Sequence, residues 1–174
     1  IEKTCFHRSG FFFEEADKIF YNQFKETQLY RQIVNLLFHG PQNLQVIAKK
    51  VRLPSGGGLK QYLDNLDAAQ ILGRTPQIDN FKPRQIGKYS VVDEFLCFYE
   101  HFIRPNRDEI KNSETPISFE KLVCDKWHIF LGNAFERFCL RHRYLIAKRL
   151  GFSEKVTACG GMRNNDRKKE GFQF

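Results

Sequence analysis

Basic and polar side chains that could contact a phosphate backbone are concentrated around one glycine-rich turn. Ser55 and three glycines open this turn, and Lys60 and Gln61 follow on the next predicted helix. Asp64 and Asp67 oppose the positive charge of that helix, so phosphate contact is favoured over reading of a base sequence. The candidate contacts are Ser55, Lys60 and Gln61 on the helix, with Arg74, Lys82, Arg84 and Lys88 on the hairpin that follows.

A second set of cations lies on a long predicted helix nearer the C-terminus. Its members are Arg137, Arg141, Arg143, Lys148 and Arg149. One interpretation is an ordinary solvated helix face. The alternative is a surface that follows phosphates, shared with the later residues Arg163, Arg167, Lys168 and Lys169.

Residues that commonly carry catalysis or bind metals are scattered along the chain. The cysteines are Cys5, Cys97, Cys124, Cys139 and Cys159, and they include no CxxC pair. The five histidines form no HExxH motif, and no GxSxG elbow marks a serine nucleophile. We therefore predict no catalytic residue and no metal site, in a reduced cytoplasmic protein. A zinc site built from distant Cys and His is the alternative.

Composition excludes two broad classes of protein. The chain has 174 residues, of which 41% are hydrophobic and 14% aromatic, which is too apolar for a disordered segment. No apolar run approaches the length of a membrane span. The net charge of +8 is uneven, because residues 1–91 and 139–174 are basic whereas residues 92–138 are acidic. This pattern predicts separate modules and is compatible with an acidic partner.

Hydrophobic spacing predicts helices over residues 13–24, 27–38, 43–51 and 59–68. Asn43 is predicted to cap the third of these helices, and Pro54 to stop it. Ile71–Ile78 and Lys88–Val92 then read as strands joined by a polar stretch. Three helices followed by a β-hairpin within about 65 residues are typical of a winged helix-turn-helix.

The second half of the chain returns to a helical period. An aromatic face over Phe95–Ile103 ends at Arg104-Pro105-Asn106, and residues 106–118 read as a polar loop. A long helix is predicted from Phe119 to Leu150, with a bend or close packing at Gly132 and an end at Gly151. Two short strands are predicted over residues 155–159 and 171–174. The aromatic face is predicted to be core, or alternatively a docking surface for another domain.

Four segments match the patterns of a known family. They are LKQYLDNL (residues 59–66), GKYSVVDEFLCFY (87–99), IRPN (103–106) and LGNAFERFC (131–139). The first three resemble the region that follows the ATPase domain in archaeal-type AAA+ ATPases. The fourth resembles the first helix of the C-terminal domain of those proteins, which belongs to the PD-(D/E)XK restriction-endonuclease-like class.

The resemblance implies a mainly α fold with small β content. A winged helix-turn-helix would be followed by a helical linker and an incomplete restriction-endonuclease-like α/β domain. The implied parts are a helical segment after a missing ATPase domain (1–26), the winged helix (27–92), a linking helix and loop (93–118) and a truncated nuclease-like domain (119–174).

The resemblance also bears on catalysis. No GxxxxGK[ST] motif is present, so ATP and Mg²⁺ are expected only in a longer parent protein. Glu136 matches the helix glutamate of the nuclease-like domain, but one carboxylate cannot build a metal site. The sequence departs from the family at Gly160–Arg163, where relatives often carry aromatic residues before the acidic strand. A start at Ile1 and an end inside a predicted strand are what a fragment would show.

The resulting hypothesis is a binding module from the C-terminal half of an AAA+ ATPase. Its partners would be the missing N-terminal ATPase domain and, through the winged helix, DNA, but not a membrane. No catalysis is expected, and the oligomeric state is left open. The alternative is a stand-alone winged-helix transcription regulator with a helical dimerisation domain.

Overall fold

The computed structural model describes residues 1–75, 78–79, 82–83 and 87–156. Within these ranges the chain is mainly helical with a small β component, as predicted. The helices are α1 (Glu2–Cys5), α2 (Glu15–Gln23), α3 (Thr27–Phe38), α4 (Leu44–Val51), α5 (Gly57–Ala68), α6 (Glu94–Phe98), α7 (Arg107–Asn112), α8 (Phe119–Arg141) and α9 (Arg143–Arg149). The strands are β1 (Leu72–Thr75), β2 (Ile78–Asp79), β3 (Lys82–Pro83) and β4 (Lys88–Val91).

Helices α4, α6 and α8 begin at residues whose side chains cap them. Asn43 accepts a hydrogen bond from the Val46 amide at 2.9 Å at the start of α4, as predicted. Asp93 caps α6 by accepting from the Leu96 amide at 2.7 Å. At the end of α4, Arg52 has a left-handed φ of 57°. This conformation lets the Leu53 amide reach the Ala48 carbonyl, which closes the helix without a glycine.

Strands β1 and β4 form an antiparallel pair in which Leu72 lies opposite Val91 and Thr75 lies opposite Lys88. A single bridge adds Gln42, between α3 and α4, to the other side of β4 at Tyr89. One strand was predicted over Ile71–Ile78. In the structure β1 ends at Thr75, and Ile78 belongs to β2, which pairs with β3. Gly73 allows close approach here, because a Cβ atom would lie 2.8 Å from the Val92 side chain.

One hydrophobic core connects the N-terminal segment, the three-helix region and the linking helix. Phe6 stacks on Phe98 with ring centroids 6.0 Å apart, and the Ile117 amide donates to the Phe6 carbonyl at 2.9 Å. The predicted aromatic face is part of this core, since Tyr99 and Phe102 are buried. The core interpretation of that face is confirmed.

The loop predicted over residues 106–118 is partly wrong. The chain passes from α6 through a π-helical turn (Tyr99–Ile103) and a 3₁₀ turn (Arg104–Asn106) into α7. Asp108 and Glu109 lie in the first turn of α7, where the helix dipole favours them. Ile110 is fully buried. Its burial stabilises a helix that its polar neighbours did not indicate.

The long helix predicted from Phe119 to Leu150 is interrupted, but not at Gly132. Helix α8 continues through Gly132, and a Cβ atom there would meet nothing within 4 Å. The interruption lies at His142, between α8 and α9. The Leu140 carbonyl, just before it, accepts a hydrogen bond from the Arg143 side chain at 2.7 Å. Gly151 has a φ of 76° just after α9 and ends the helical region as predicted.

The two C-terminal strands fall largely beyond the described residues. The first of these strands was predicted to begin at Lys155, but Lys155 closes a 3₁₀ turn (Ser153–Lys155) instead. The second, over residues 171–174, lies outside the described residues entirely. In the ranges that the structure covers, no helix is both long and apolar enough to cross a membrane.

Candidate nucleic-acid interface

The turn between α4 and α5 displays the predicted helix contacts. Ser55, Lys60 and Gln61 are all exposed. Helix α5 begins at Gly57, two residues before the predicted start, so two glycines form its first turn. Added Cβ atoms at Gly56, Gly57 and Gly58 would meet nothing within 4 Å. The backbone N–H groups of this turn are therefore open to an approaching anion.

The outer face of α5 is acidic beyond its first turn. Leu59, Leu63 and Leu66 are buried against the core, which turns the other side of the helix to solvent. Lys60 is the cation on that side, and both Asp64 and Asp67 are exposed there. A phosphate is attracted to the start of this helix and repelled from its middle.

Polar contacts anchor α5 to α3. Asn65 Nδ2 donates to the Tyr30 hydroxyl at 2.7 Å, and the Tyr62 hydroxyl donates to the Glu26 carboxylate. The hydrogen bond to Glu26, followed by burial, raises the pKa of Tyr62 above its usual value. These contacts hold the orientation of α5, so Tyr62 and Asn65 serve the scaffold.

The hairpin candidates do not form one surface. Arg74 lies opposite Tyr89 in the β1–β4 pair, and its guanidinium stacks 5.0 Å from the Tyr89 ring centroid. Lys88 lies one position along and therefore points to the other face of the hairpin. The backbone of Lys82, in β3, pairs with that of Asp79, in β2. The Lys82 side chain and the whole of Arg84 lie outside the described part of the chain.

Two of the five cations on α8 and α9, Arg137 and Arg141, contact the rest of the chain. Arg137 donates to both carboxylate oxygens of Glu94, at 2.9 and 2.6 Å. Arg141 donates to Gln70 Oε1 at 2.8 Å, and the Arg143 guanidinium lies over the Tyr144 ring. Lys148 and Arg149 are exposed. These contacts attach the long helix to the body at two points.

A charged cluster that the sequence did not indicate joins three elements. Asp17 on α2 accepts from Arg31 of α3 at 2.6 Å and from Arg107 of α7 at 2.8 Å, and Arg107 also donates to the Tyr99 hydroxyl. Burial alone would raise the pKa of Asp17, but the hydrogen bonds from both arginines lower it below its usual value. A cavity of about 240 Å³ opens beside this cluster. No local motif reveals it, because its members are far apart in the sequence.

The residues considered for metal binding and catalysis are not brought together. Glu136 is exposed on α8. Among the described residues, no group of three or more His, Cys, Asp or Glu is placed to hold a metal ion. Burial raises the pKa of the Cys97 thiol to about 11, so this side chain packs as a neutral apolar group.

Comparisons with known proteins give one archaeal relative. No model of a protein family and no solved structure matches the chain. The chain is 27% identical over 138 residues to "Uncharacterized protein MJECL04" of Methanocaldococcus jannaschii. The match covers 79% of this chain and 30% of the relative, so the chain spans less than a third of the relative's length.

Proposed function

We propose that this chain is a binding module from an archaeal-type AAA+ ATPase, in which residues 27–92 form a winged helix that contacts DNA. The observation that carries the proposal is the order of elements from α3 to β4. Along the chain, α3 is followed by the bridging residue Gln42, two further helices and the β1–β4 hairpin. Gln42 bridges to β4 on the edge opposite β1. A winged helix places a short strand between its first two helices in this way.

The exposed cations support contact with phosphates rather than with bases. Lys49, Lys50 and Arg52 are exposed at the end of α4, and Lys60 is exposed near the start of α5. Together with the open first turn of α5, they make one positive edge around the turn between these helices. The acidic remainder of α5 disfavours deep insertion into a major groove. We therefore propose binding that is strong at low salt and weakly dependent on base sequence.

The region from Phe119 onward is proposed to belong to a nuclease-like domain that lacks its catalytic centre. The resemblance of residues 131–139 supports this assignment, and Glu136 would be the remnant of the metal site. ATP binding and any Mg²⁺-dependent chemistry would belong to a longer parent protein. The match to less than a third of an archaeal relative is compatible with a module of a larger chain.

A salt titration of DNA binding tests the proposal. Wild-type chain and a labelled duplex of about 20 base pairs are compared by fluorescence anisotropy, and the logarithm of affinity should fall linearly with the logarithm of salt concentration. Lys60→Ala should weaken binding and reduce the slope by about 0.9. Lys18→Ala removes an exposed cation from α2 and serves as the matched control.

Two results would overturn DNA contact. Either no binding at low salt, or equal losses for Lys60→Ala and Lys18→Ala, would leave residues 27–92 as a packing module between neighbouring domains. The parent assignment is tested separately by the coding sequence upstream of Ile1. It should contain a Walker A motif, whereas a nearby start codon would favour the stand-alone regulator.

A further inference from the structure

The cavity of about 240 Å³ beside Asp17 lies between α2, α3 and the segment that joins α6 to α7. Each of these three parts of the chain contributes both charged and apolar side chains to its wall. Its charged lining consists of Arg31, Arg104 and Arg107 together with the carboxylates of Asp17 and Glu100. The described residues of the turn between α4 and α5 do not line it, so it is separate from the proposed DNA contacts.

The charges that line this cavity do not balance. Three arginines meet two carboxylates, which leaves an excess of one positive charge. Arg31 and Arg107 share the single carboxylate of Asp17, at 2.6 and 2.8 Å. Arg104 pairs with Glu100 at 2.8 Å. A ligand with one negative charge would therefore complete the balance.

Arg104 and Arg107 retain N–H donors for such a ligand. Within the described chain, every hydrogen bond that either side chain donates comes from its Nη1 atom. A guanidinium carries five N–H groups on three nitrogens, and a carboxylate can accept two of them side by side. The Arg104 and Arg107 side chains are 48 and 37% exposed, so their remaining N–H groups are accessible.

Apolar side chains form much of the remaining wall. Phe20 and Leu96 are buried in the core and also line the cavity, as does the partly buried Phe38. The Arg31 guanidinium lies 5.4 Å from the centroid of the Phe20 ring, so cationic and apolar surfaces adjoin. This combination favours a ligand with a charged end and an apolar body. Pockets for drug-sized ligands have volumes of about 300–1,000 Å³, so a ligand of this cavity is smaller.

We propose that this cavity binds a small monocarboxylate with an apolar body, such as an aromatic acid. The carboxylate accepts hydrogen bonds from Arg104 and Arg107, and the apolar body packs on Phe20 and Phe38. An inorganic phosphate has no apolar body to pack on these walls. A neutral ring has no charge for the arginines and leaves their N–H groups without an acceptor.

Saturation-transfer NMR with the full chain tests the ligand class. Benzoate is the probe, and it should bind saturably with a dissociation constant of about 1 mM, as suits a ligand of few atoms. Neutral benzamide, acetate without a ring, and inorganic phosphate compete against benzoate at constant ionic strength, and each should bind at least tenfold more weakly. Absence of saturable benzoate binding, or a competitor that binds as tightly as benzoate, would overturn the proposal.

Three variants test the location of the site. Arg104→Gln should weaken benzoate binding at least tenfold, whereas the matched control Arg149→Gln, at an exposed arginine of α9 outside the cavity, should leave it unchanged. Glu100→Gln raises the excess charge from one to two and should tighten binding several-fold, a gain that misfolding cannot produce. Circular dichroism checks that each variant folds. Equal effects of the two arginine variants, or weaker binding by Glu100→Gln, would contradict the proposal. Lys60→Ala should not alter benzoate binding, so this test stands apart from that of DNA contact.

Discussion

At the level of single residues, Asp17 binds side chains that lie far from it in the sequence. Its carboxylate accepts from Arg31 and Arg107, and Arg107 also donates to Tyr99. The Arg107 guanidinium lies 5.3 Å from the centroid of the Phe13 ring. One carboxylate therefore orients two arginines that link the N-terminal segment to α3 and to α7.

The lowered pKa of Asp17 makes stability depend on pH with a defined sign. A carboxyl whose pKa is lower when folded contributes stability above its unfolded value of 3.8, and loses that contribution as the pH falls through the folded value. Asp17→Asn should therefore reduce the free energy of unfolding at pH 7 by about 1 kcal/mol, since the contacts are partly exposed. The difference from wild type should shrink below about pH 4.

Urea denaturation at a series of pH values measures this effect. Glu14→Gln, an exposed carboxylate next to α2, is the control and should shift the curve little at any pH. A loss for Asp17→Asn that is the same at pH 3 and pH 7 would show that the charge of Asp17 is not what stabilises the cluster.

At the level of elements, the attachment of α8 to the body changes along its length. Its first half is held by apolar burial, because Trp127 and Phe130 stack with ring centroids 5.6 Å apart and Phe130 also contacts Phe102. Its second half is held by the polar contacts of Arg137 and Arg141. In this second half, Leu131, Phe135 and Phe138 are exposed.

A double-mutant cycle on Arg137 and Glu94 should measure the polar attachment. The side chains are 23 and 46% exposed and the contact is bidentate, so we expect a coupling free energy of about 0.5–1.5 kcal/mol. Arg137→Ala, Glu94→Ala and the double variant are compared by urea denaturation. Additive losses from the two single variants would show that the ion pair contributes nothing, and that Arg137 acts only through its aliphatic stem.

At the level of the whole molecule, the hydrophobic core crosses the boundaries implied by the family resemblance. Buried residues run continuously from the N-terminal segment through α3, α5 and the linking helix to Phe130. The Phe119 amide donates to Glu2 at 2.7 Å, which brings the start of α8 to the N-terminal segment. The described residues up to Phe130 therefore share one core, and Ala134 packs against it.

Phe102 lies at the centre of this core and allows a test of cooperativity. It is fully buried, and its ring contacts Phe98, Trp127 and Phe130. Phe102→Ala should reduce the free energy of unfolding by about 3–5 kcal/mol. Tyr21→Ala removes an aromatic ring that is 79% exposed and should cost little.

The single tryptophan, Trp127, reports the junction of α8 with the linking helix. Its fluorescence and the far-ultraviolet circular dichroism of the wild type should therefore change together on denaturation. Two separate transitions, with Phe102→Ala shifting only one of them, would contradict the single shared core.

Local signals predicted the first part of the fold well. Asn43, Pro54 and the spacing of leucines in α5 locate the helices, because caps, breakers and a 3.6-residue period act within a few positions. Helix α7 was missed because Ile110 is its only apolar residue and its burial depends on distant elements. A bend or close packing was predicted at Gly132, whereas the helix is interrupted at His142, because glycine propensity is weak beside the contacts that hold α8.

The sequence by itself determined the helical content, the hairpin, the excess of positive charge and the exposed polar turn before α5. All of these depend on residues close together in the chain. Only the tertiary structure decided that Arg74 and Lys88 lie on opposite faces, that Arg137 is bound to Glu94, and that Asp17 joins two distant arginines. These pairings join positions far apart in the chain, and their geometry depends on how the whole core closes.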